Sequence, residues 1–376
     1  MKKILAVAIA SAFAAPAFAA TANVDVYGQI NLSVENVDNG VDSFNRMVTN
    51  NNSFIGFKGS EDLGSGLKAV WQIEANLEMT GNGTTSSTVG TGGNTGTDGN
   101  IFGTRNTYIG LAGGFGTVIA GTHDTPYKMS TGPLDVFVGT LGDYNGVFGS
   151  AGATANSNLF DLRTGNTIAY MSPDFSGFTF AGAYVMGLEG VETAPSDTSD
   201  AYSLAGTYKN GPLFVTAAYE AHNSVGAVLC IAGATCLGQG TLDRDAWKIG
   251  AGYTIGNFKI GAVYESIDGD VGTAVAHDTW GLMGAYAMGA ITLKASYAQA
   301  SDVENAAGVE VNNTGTDMWA IGADYAMSKR TKVQLTYAKQ DNDSAGVWGL
   351  GQGASVGNGS MGEAVSGFSL GLVHSF

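Results

Sequence analysis

The chain has 376 residues, of which only 13% are charged and 57 are glycine. Its 33 acidic residues outnumber 17 basic ones, which argues against a nucleic-acid partner, because such binding depends on Lys and Arg neutralising phosphates. After the first 19 residues, no run approaches the 18 or so apolar residues that a membrane helix needs. Low charge with abundant glycine and aromatics is typical of a membrane β-barrel, in which every second strand residue faces lipid.

The amino terminus has the pattern of a cleaved secretory signal. Lys2 and Lys3 form a basic start, an apolar stretch follows to Ala15, and Ala17 and Ala19 provide an A-x-A cleavage site. We therefore predict a signal peptide at 1–19 and a single barrel domain at 20–376. Without the two lysines the mature chain has 15 basic and 33 acidic residues, a net charge of −18.

From residue 24 onward, apolar and polar residues alternate in segments of about ten, as in strands of a membrane barrel. Short turns and longer loops alternate strictly between these segments, which an antiparallel barrel with turns at one end requires and a soluble β-sandwich does not. The predicted strands are 24–34, 53–61, 67–79, a strand ending at 111, 117–124, a strand beginning near 166, 178–188, 200–209, 213–222, 245–254, 258–266, 277–287, 291–299, 317–326, 331–339 and 367–376.

These segments predict an all-β fold, a 16-stranded antiparallel transmembrane β-barrel. A barrel of this size is wide enough for an aqueous channel, whereas eight strands would fill with side chains. The inward-facing residues must then be polar, and most of them are. The side chains predicted to line the pore from this alternation are Lys68, Gln72, Glu74, Lys248, Lys259, Lys294 and Lys332, with Phe54 also inward.

Residues 126–163 interrupt the alternation. A structureless loop of this length is unusual in a compact domain and is usually functional or disordered. It contains Asp135, Asp143 and Asp161 together with too many large apolar residues for a solvated linker. We interpret it as the third outer loop, folded into the lumen of the barrel; the alternative is an outward surface loop.

Cys230 and Cys236 lie in a predicted outer loop, where the exported context favours a local disulfide. The glycine-, serine- and threonine-rich tract at 80–100 predicts another outer loop. Six predicted outer loops, one of which holds this cysteine pair, together carry 19 acidic residues and only Arg46 and Arg244 as bases. An acidic mouth concentrates cations, so we expect a weak cation preference.

Three stretches resemble a Gram-negative general-diffusion porin: GFKGSEDLGSGLKAVWQIE at 56–74, GTRNTYIGLAGGFGT at 103–117 and NTIAYMSPDFSGF at 166–178. The terminal Phe376 is similar to the ending by which the assembly machinery recognises outer-membrane barrels. The resemblance implies an outer-membrane homotrimer in contact with lipid, through which ions and small hydrophilic solutes diffuse passively. It also implies that the third loop folds inward as a constriction.

In that family, acidic residues on the third loop face a basic cluster on the wall. By position, the resemblance assigns Lys58, Arg105 and Arg163 to the basic side, and it assigns Asp135 or Asp143 to the acidic side. Many relatives have Arg where this chain has Phe54 and Thr122, and we place Thr122 among the pore-lining residues for that reason. The basic cluster is therefore expected to be thinner here.

Two other functions remain as alternatives: an outer-membrane barrel enzyme, such as a hydrolase, and a non-conducting structural or adhesive barrel. The four histidines lie in separate segments without metal-ligand spacing, and no G-x-S-x-G, H-E-x-x-H or phosphate-loop motif stands at a strand–helix junction. We therefore expect no enzyme, no metal and no cofactor.

Overall fold

The computed structural model describes residues 23–48, 52–77, 79, 105–150, 159–188, 199–226, 241–269, 276–304, 308–351 and 361–376. The predicted signal peptide, the pair Cys230 and Cys236, and the tract at 80–100 lie outside these residues. Within them, almost all regular structure is β-strand.

The elements follow the predicted order. One short helix, α1 (Pro126–Thr131), and two 3₁₀ turns, Gly132–Leu134 and Tyr144–Gly146, lie in the predicted third loop. The strands are β1 (Asn23–Asp38), β2 (Ser43–Val48), β3 (Phe54–Gly64), β4 (Leu67–Asn76), β5 (Thr107–Gly113), β6 (Gly116–Asp124), β7 (Arg163–Met171), β8 (Phe178–Met186), β9 (Asp200–Asn210), β10 (Leu213–Gly226), β11 (Thr241–Ile255), β12 (Phe258–Gly269), β13 (His277–Met288), β14 (Ile291–Ala300), β15 (Val303–Glu304), β16 (Glu310–Val311), β17 (Thr316–Ala326), β18 (Thr331–Asn342) and β19 (Val365–Ser375).

Antiparallel pairing between β1 and β19 closes the sheet. β2 and β3 both pair with β1, one beyond the other, so together they form one barrel strand, whereas β15 and β16 form a separate small hairpin. The described residues therefore form a closed barrel of 16 antiparallel strands, and the predicted fold class is confirmed. The carboxyl terminus takes part in closure, because Phe376 and Gly28 exchange two backbone hydrogen bonds of 3.1 Å.

The first predicted outer loop, 35–47, is mostly strand. β1 continues to Asp38 and β2 begins at Ser43, so the connection shortens to a tight turn. The polar composition suggested a loop, but Asn36 lies opposite Asn45 and donates a side-chain hydrogen bond to it across the ladder at 3.0 Å. Cross-strand amide pairs of this kind extend a sheet beyond the apolar segment.

The two faces of the wall differ in chemistry. One face carries exposed apolar side chains, such as Ile109 (67% exposed), Ile249 and Leu282. Side chains on the other face, here called the inner face, include the fully buried Lys248 and Glu265. Such a continuous apolar outer surface is typical of a barrel surrounded by lipid. Among the described residues, no helix is long and apolar enough to cross a membrane.

Candidate functional site: the inner face of the barrel

The third loop, between β6 and β7, begins with helix α1. Pro126 occupies its first turn, and the Thr125 hydroxyl accepts a hydrogen bond from the Lys128 backbone N–H at 3.3 Å. Threonine at the N-cap followed by proline is a common helix start. The prediction of a loop without helix was therefore wrong at this point, and the Thr125–Pro126 pair was the signal that could have shown it.

Tyr127 attaches α1 to two strands. Its backbone N–H donates to the Ser203 hydroxyl in β9 at 2.9 Å, and its phenol donates to a Glu265 carboxylate oxygen in β12 at 2.9 Å. The side chain is fully buried. Because a buried phenol and a buried carboxylate satisfy each other, this contact fixes the helix against the wall.

The loop then runs along β11, β12 and β14. A Cβ at Gly250 would lie 2.7 Å from a methyl carbon of Leu134, so this side chain packs directly against the backbone of β11. The ammonium of Lys259 donates to the carbonyl of Pro133 at 2.6 Å, and that of Lys294 lies 4.8 Å from the centre of the Phe137 ring. The wall lysines thus contact the loop directly.

The tip of the loop reaches the seam where the barrel closes. The carbonyl of Gly139 accepts a hydrogen bond from the Asn31 side chain of β1 at 3.2 Å. Leu141 packs against Gly367 of β19, where an added Cβ would lie 3.0 Å from it. The loop therefore touches the wall from β9 round to β1.

The return of the loop is held by charged groups. Asp161 and Lys248 of β11 form an ion pair in which both side chains are fully buried, and the Asn145 amide donates to the same carboxylate at 2.7 Å. The backbone N–H of Gly149 donates to Glu265 at 2.7 Å. Each buried carboxylate has partners, as buried charges require.

Every wall residue in these contacts lies on the inner face. Lys248, for example, is buried between Ile249 and Trp247, which are half exposed on the apolar side. The sequence interpretation of Lys248 and Lys294 as solvated lining residues is corrected, because the first pairs with Asp161 under the loop and the second pairs with Asp324. Lys332, which is more exposed, also binds Asp324, at 2.9 Å.

Asp135 and Asp143 do not present their carboxylates to open solvent. Asp135 accepts the backbone N–H of Phe137 at 2.7 Å, and Asp143 accepts those of Gly139 at 2.8 Å and Asn145 at 3.1 Å. Both side chains are buried, and burial raises the pKa of both carboxyls above the usual range. The sequence-based assignment as channel-facing acids is thus corrected: their carboxylates close turns of the loop itself.

A basic cluster lies on the remaining arc of the wall, from β3 to β7. Arg105 contacts Glu74 at 3.5 Å, Arg163 contacts Asp124 at 3.0 Å, and Lys128, at the base of the loop, contacts Asp124 at 3.5 Å. Asp62 lies directly opposite Lys68 in the ladder, and Asp25 of β1 lies opposite Lys58. With Glu74 and Asp124, four carboxylates face the five bases of this region, so the excess of positive charge is small. The cluster consists of Lys58, Lys68, Arg105, Lys128 and Arg163.

Phe54 lies on the inner face beside a base of this cluster. The guanidinium of Arg105 lies over the Phe54 ring, 4.8 Å from its centre, in a cation–π contact. On the same face, Glu74 accepts a hydrogen bond from the Tyr27 hydroxyl at 2.8 Å, and Gln72 accepts one from the Tyr108 hydroxyl at 3.4 Å.

Thr122, also predicted to line the pore, lies on the opposite face of the wall. It pairs with Thr107, which shares its face with the exposed Ile109, and the register of β6 shifts between Gly121 and His123. Its predicted place on the pore lining is therefore corrected: Thr122 lies four residues from the exposed Val118, so the ordinary alternation of β6 puts it on the outer face. The shift in register concerns the pairing of β6 with β7.

The histidines lie apart, as their spacing predicts. His222 contacts Glu220 at 2.8 Å, and His374 contacts Thr331 at 2.9 Å. In the part of the chain that the structure describes, no three His, Cys, Asp or Glu side chains are grouped to hold a metal ion.

Comparisons with known proteins agree with this architecture. A family model described as Gram-negative porin matches residues 6–345. The major outer membrane protein P.IB of Neisseria meningitidis serogroup B is 31% identical, covering 89% of this chain and 92% of that protein. P.IA of serogroup C is 27% identical over the full length of both chains. The solved anion-selective porin from Comamonas acidovorans superposes with a TM-score of 0.75 at 24% identity, covering 94% of this chain and 100% of that one.

Proposed function

The chain belongs to the Gram-negative porin family, and on that premise we propose that its third loop forms the narrow part of the channel. As a porin it is an outer-membrane channel for passive diffusion. The observation that carries the proposal is the series of inner-face contacts from Tyr127 to Asp161. A loop in that position leaves the arc from β3 to β7 as the other side of the passage.

The passage would admit ions and small hydrophilic solutes. Bases on its wall outnumber carboxylates only slightly, and the low-dielectric barrel strengthens the field of this small positive excess. The predicted acidic mouth opposes this field. Glu35 and Arg46, both included in the sequence count, form an ion pair of 2.7 Å and together add no net charge to the mouth.

The assembly is proposed from the family. We infer a homotrimer surrounded by outer-membrane lipid. Phe376 lies at the end of β19, and its ring lies 2.7 Å from the position that a Cβ at Gly28 would take. A residue that joins the last strand to the first is suited to recognition by the assembly machinery before closure.

Membership in this family indicates a channel rather than an enzyme, and we propose that the barrel has no catalytic activity. Purified protein in a planar bilayer tests this. Stepwise conductance is expected, and the number of coupled steps reports the number of channels per oligomer. A folded protein that gives no conductance would contradict the channel and favour an enzyme or an adhesive barrel.

Thiol labelling tests where the passage runs. In a background with Cys230 and Cys236 replaced by Ser, Lys58→Cys should react with a charged thiol reagent and the current should fall. Trp71→Cys, on the outer face, should leave the current unchanged. If the reagent leaves the current of Lys58→Cys unaltered although the residue is modified, the passage does not follow this arc.

A further inference from the structure

A second segment packs against the third loop. Residues 343–351 follow β18 and were predicted to belong to an outer loop, yet their large apolar side chains are buried: Trp348 is 3% exposed and Leu350 is 0% exposed. They belong to the same apolar cluster as Tyr144 and Phe148 of the third loop. Large apolar residues of a solvated loop would not be covered in this way.

Polar contacts fix the position of Trp348. The Asn342 side chain accepts the Trp348 N–H and donates to its carbonyl, both at 3.1 Å. The indole N–H donates to the carbonyl of Thr314 at 2.8 Å, and the ring stands edge-on to His277 with centroids 5.4 Å apart. The backbone of Trp348 is therefore bonded to the end of β18, and its indole contacts the start of β13 and the segment before β17.

The two loops touch backbone to backbone. A Cβ built on Gly146 would lie 3.0 Å from the carbonyl oxygen of Gly349 and 3.2 Å from the amide nitrogen of Gly351. Backbone atoms cannot swing aside as a flexible side chain can. Glycine at position 146 is thus what permits the close approach.

Phe148 and Gly142 place this part of the third loop against the inner face of the wall. The Phe148 ring packs on β13, where a Cβ at Gly281 would lie 3.0 Å from it, while Ala320 of β17 packs against the neighbouring Gly142. Residues 142–148 therefore lie between the inner wall on one side and residues 346–351 on another. A loop held from two sides has little freedom to move.

We propose that residues 346–351 are a second size-limiting element of the channel. They hold the third loop against β13 and β17 and occupy part of the entrance above it. Trp348 and Leu350 are the residues through which they act. The proposal rests on the third loop being the narrow part of the passage.

Adding one methyl group at position 146 tests the contact between the two loops. Gly146→Ala should push residues 346–351 away from the third loop, and both the single-channel conductance and its fluctuation should increase. Gly132→Ala is the matched control, because Gly132 lies in the same loop with helical φ of −47° and nothing within 4 Å of an added Cβ. It should behave like the natural chain, and both variants keep Trp348 and Leu350.

Removing the apolar anchors tests the element itself. Trp348→Ala with Leu350→Ala should also raise conductance and admit larger sugars, with barrel folding checked by heat-modifiable mobility in electrophoresis. In that background Gly146→Ala should add little, because variants acting through one contact are not additive.

The outcomes separate this proposal from the one on which it rests. If removing residues 134–149 raises conductance but the folded Trp348 and Leu350 variant conducts like the natural chain, the second element is refuted and the third loop stands. If neither change alters conductance, both proposals fail. An equal response of Gly146→Ala and Gly132→Ala would also overturn the second element, since the effect would then not depend on this contact.

Discussion

The buried ion pair between Lys248 and Asp161 is the contact whose loss should most affect the third loop. Asp161→Asn retains the shape and an acceptor for the Asn145 amide, and asparagine tolerates the positive φ of 59° at this position. It removes the carboxylate paired with the buried Lys248 ammonium and leaves Glu265 as a remaining carboxylate near that charge. Breaking a fully buried pair from one side costs about 3–5 kcal/mol.

This cost should appear in loop docking rather than in barrel unfolding, because β10 and β12 pair with β11 through backbone groups that the substitution leaves intact. Since about 1.4 kcal/mol is tenfold in an equilibrium constant, docking should weaken on the order of 10²- to 10⁴-fold. In planar bilayers we expect frequent current fluctuations in place of steady steps.

Lys248→Met with Asp161→Asn is the matched control, because it removes both charges. Its current should fluctuate less than that of Asp161→Asn alone, because replacing a whole buried ion pair often changes stability little. Steady steps from Asp161→Asn, or equal fluctuation in the single and double variants, would refute the reasoning.

Three further perturbations test the assigned faces and charges. Trp71→Lys on the outer face of β4 should cost about 2–4 kcal/mol, whereas Gln72→Lys on the inner face should cost little; equal folding yields in lipid vesicles would contradict the assignment. Phe54→Arg should shift the reversal potential across a salt gradient toward anions, whereas Thr122→Arg should not, and the shift should shrink at 1 M salt, where the Debye length is about 3 Å; an unchanged potential for Phe54→Arg would remove this position from the passage. Because burial raises the pKa of the Asp135 carboxyl, the docked loop retains a proton that the undocked loop loses: docking should be strongest at acid pH and weaken as pH rises through the raised value. Because burial also raises the pKa of Asp143, current fluctuation is followed against pH in Asp135→Asn combined with Asp143→Asn, and a pH dependence unchanged in this double variant would contradict the reasoning.

The strand pattern was predictable because its cause is local. In β4, Lys68 and Gln72 face inward and Trp71 faces outward, and the alternation of side chains along a strand follows directly from backbone geometry. Strict alternation of turns and loops then indicated the barrel. The facing of Thr122 was predictable in the same way, because it lies four residues from the exposed Val118 in β6. It was placed on the wrong face because it was assigned by similarity to relatives and not by this alternation.

The site was harder to predict because charge in a sequence does not reveal its partner. Asp143 and Asp161 are identical in type, yet one closes a turn and the other pairs with a wall lysine far along the chain. The contact between Gly146 and Gly349 joins residues about two hundred positions apart, and no local pattern encodes it. The Thr125–Pro126 helix start, in contrast, was visible in the sequence.

The most direct test of the central claim is the size of sugar that the channel admits after removal of residues 134–149. This deletion removes the apolar middle of the third loop and no barrel strand. If the loop narrows the channel, liposomes that contain the deletion variant should swell in sugars that the natural protein excludes. A correctly folded variant with an unchanged sugar cutoff would show that the third loop does not line the passage.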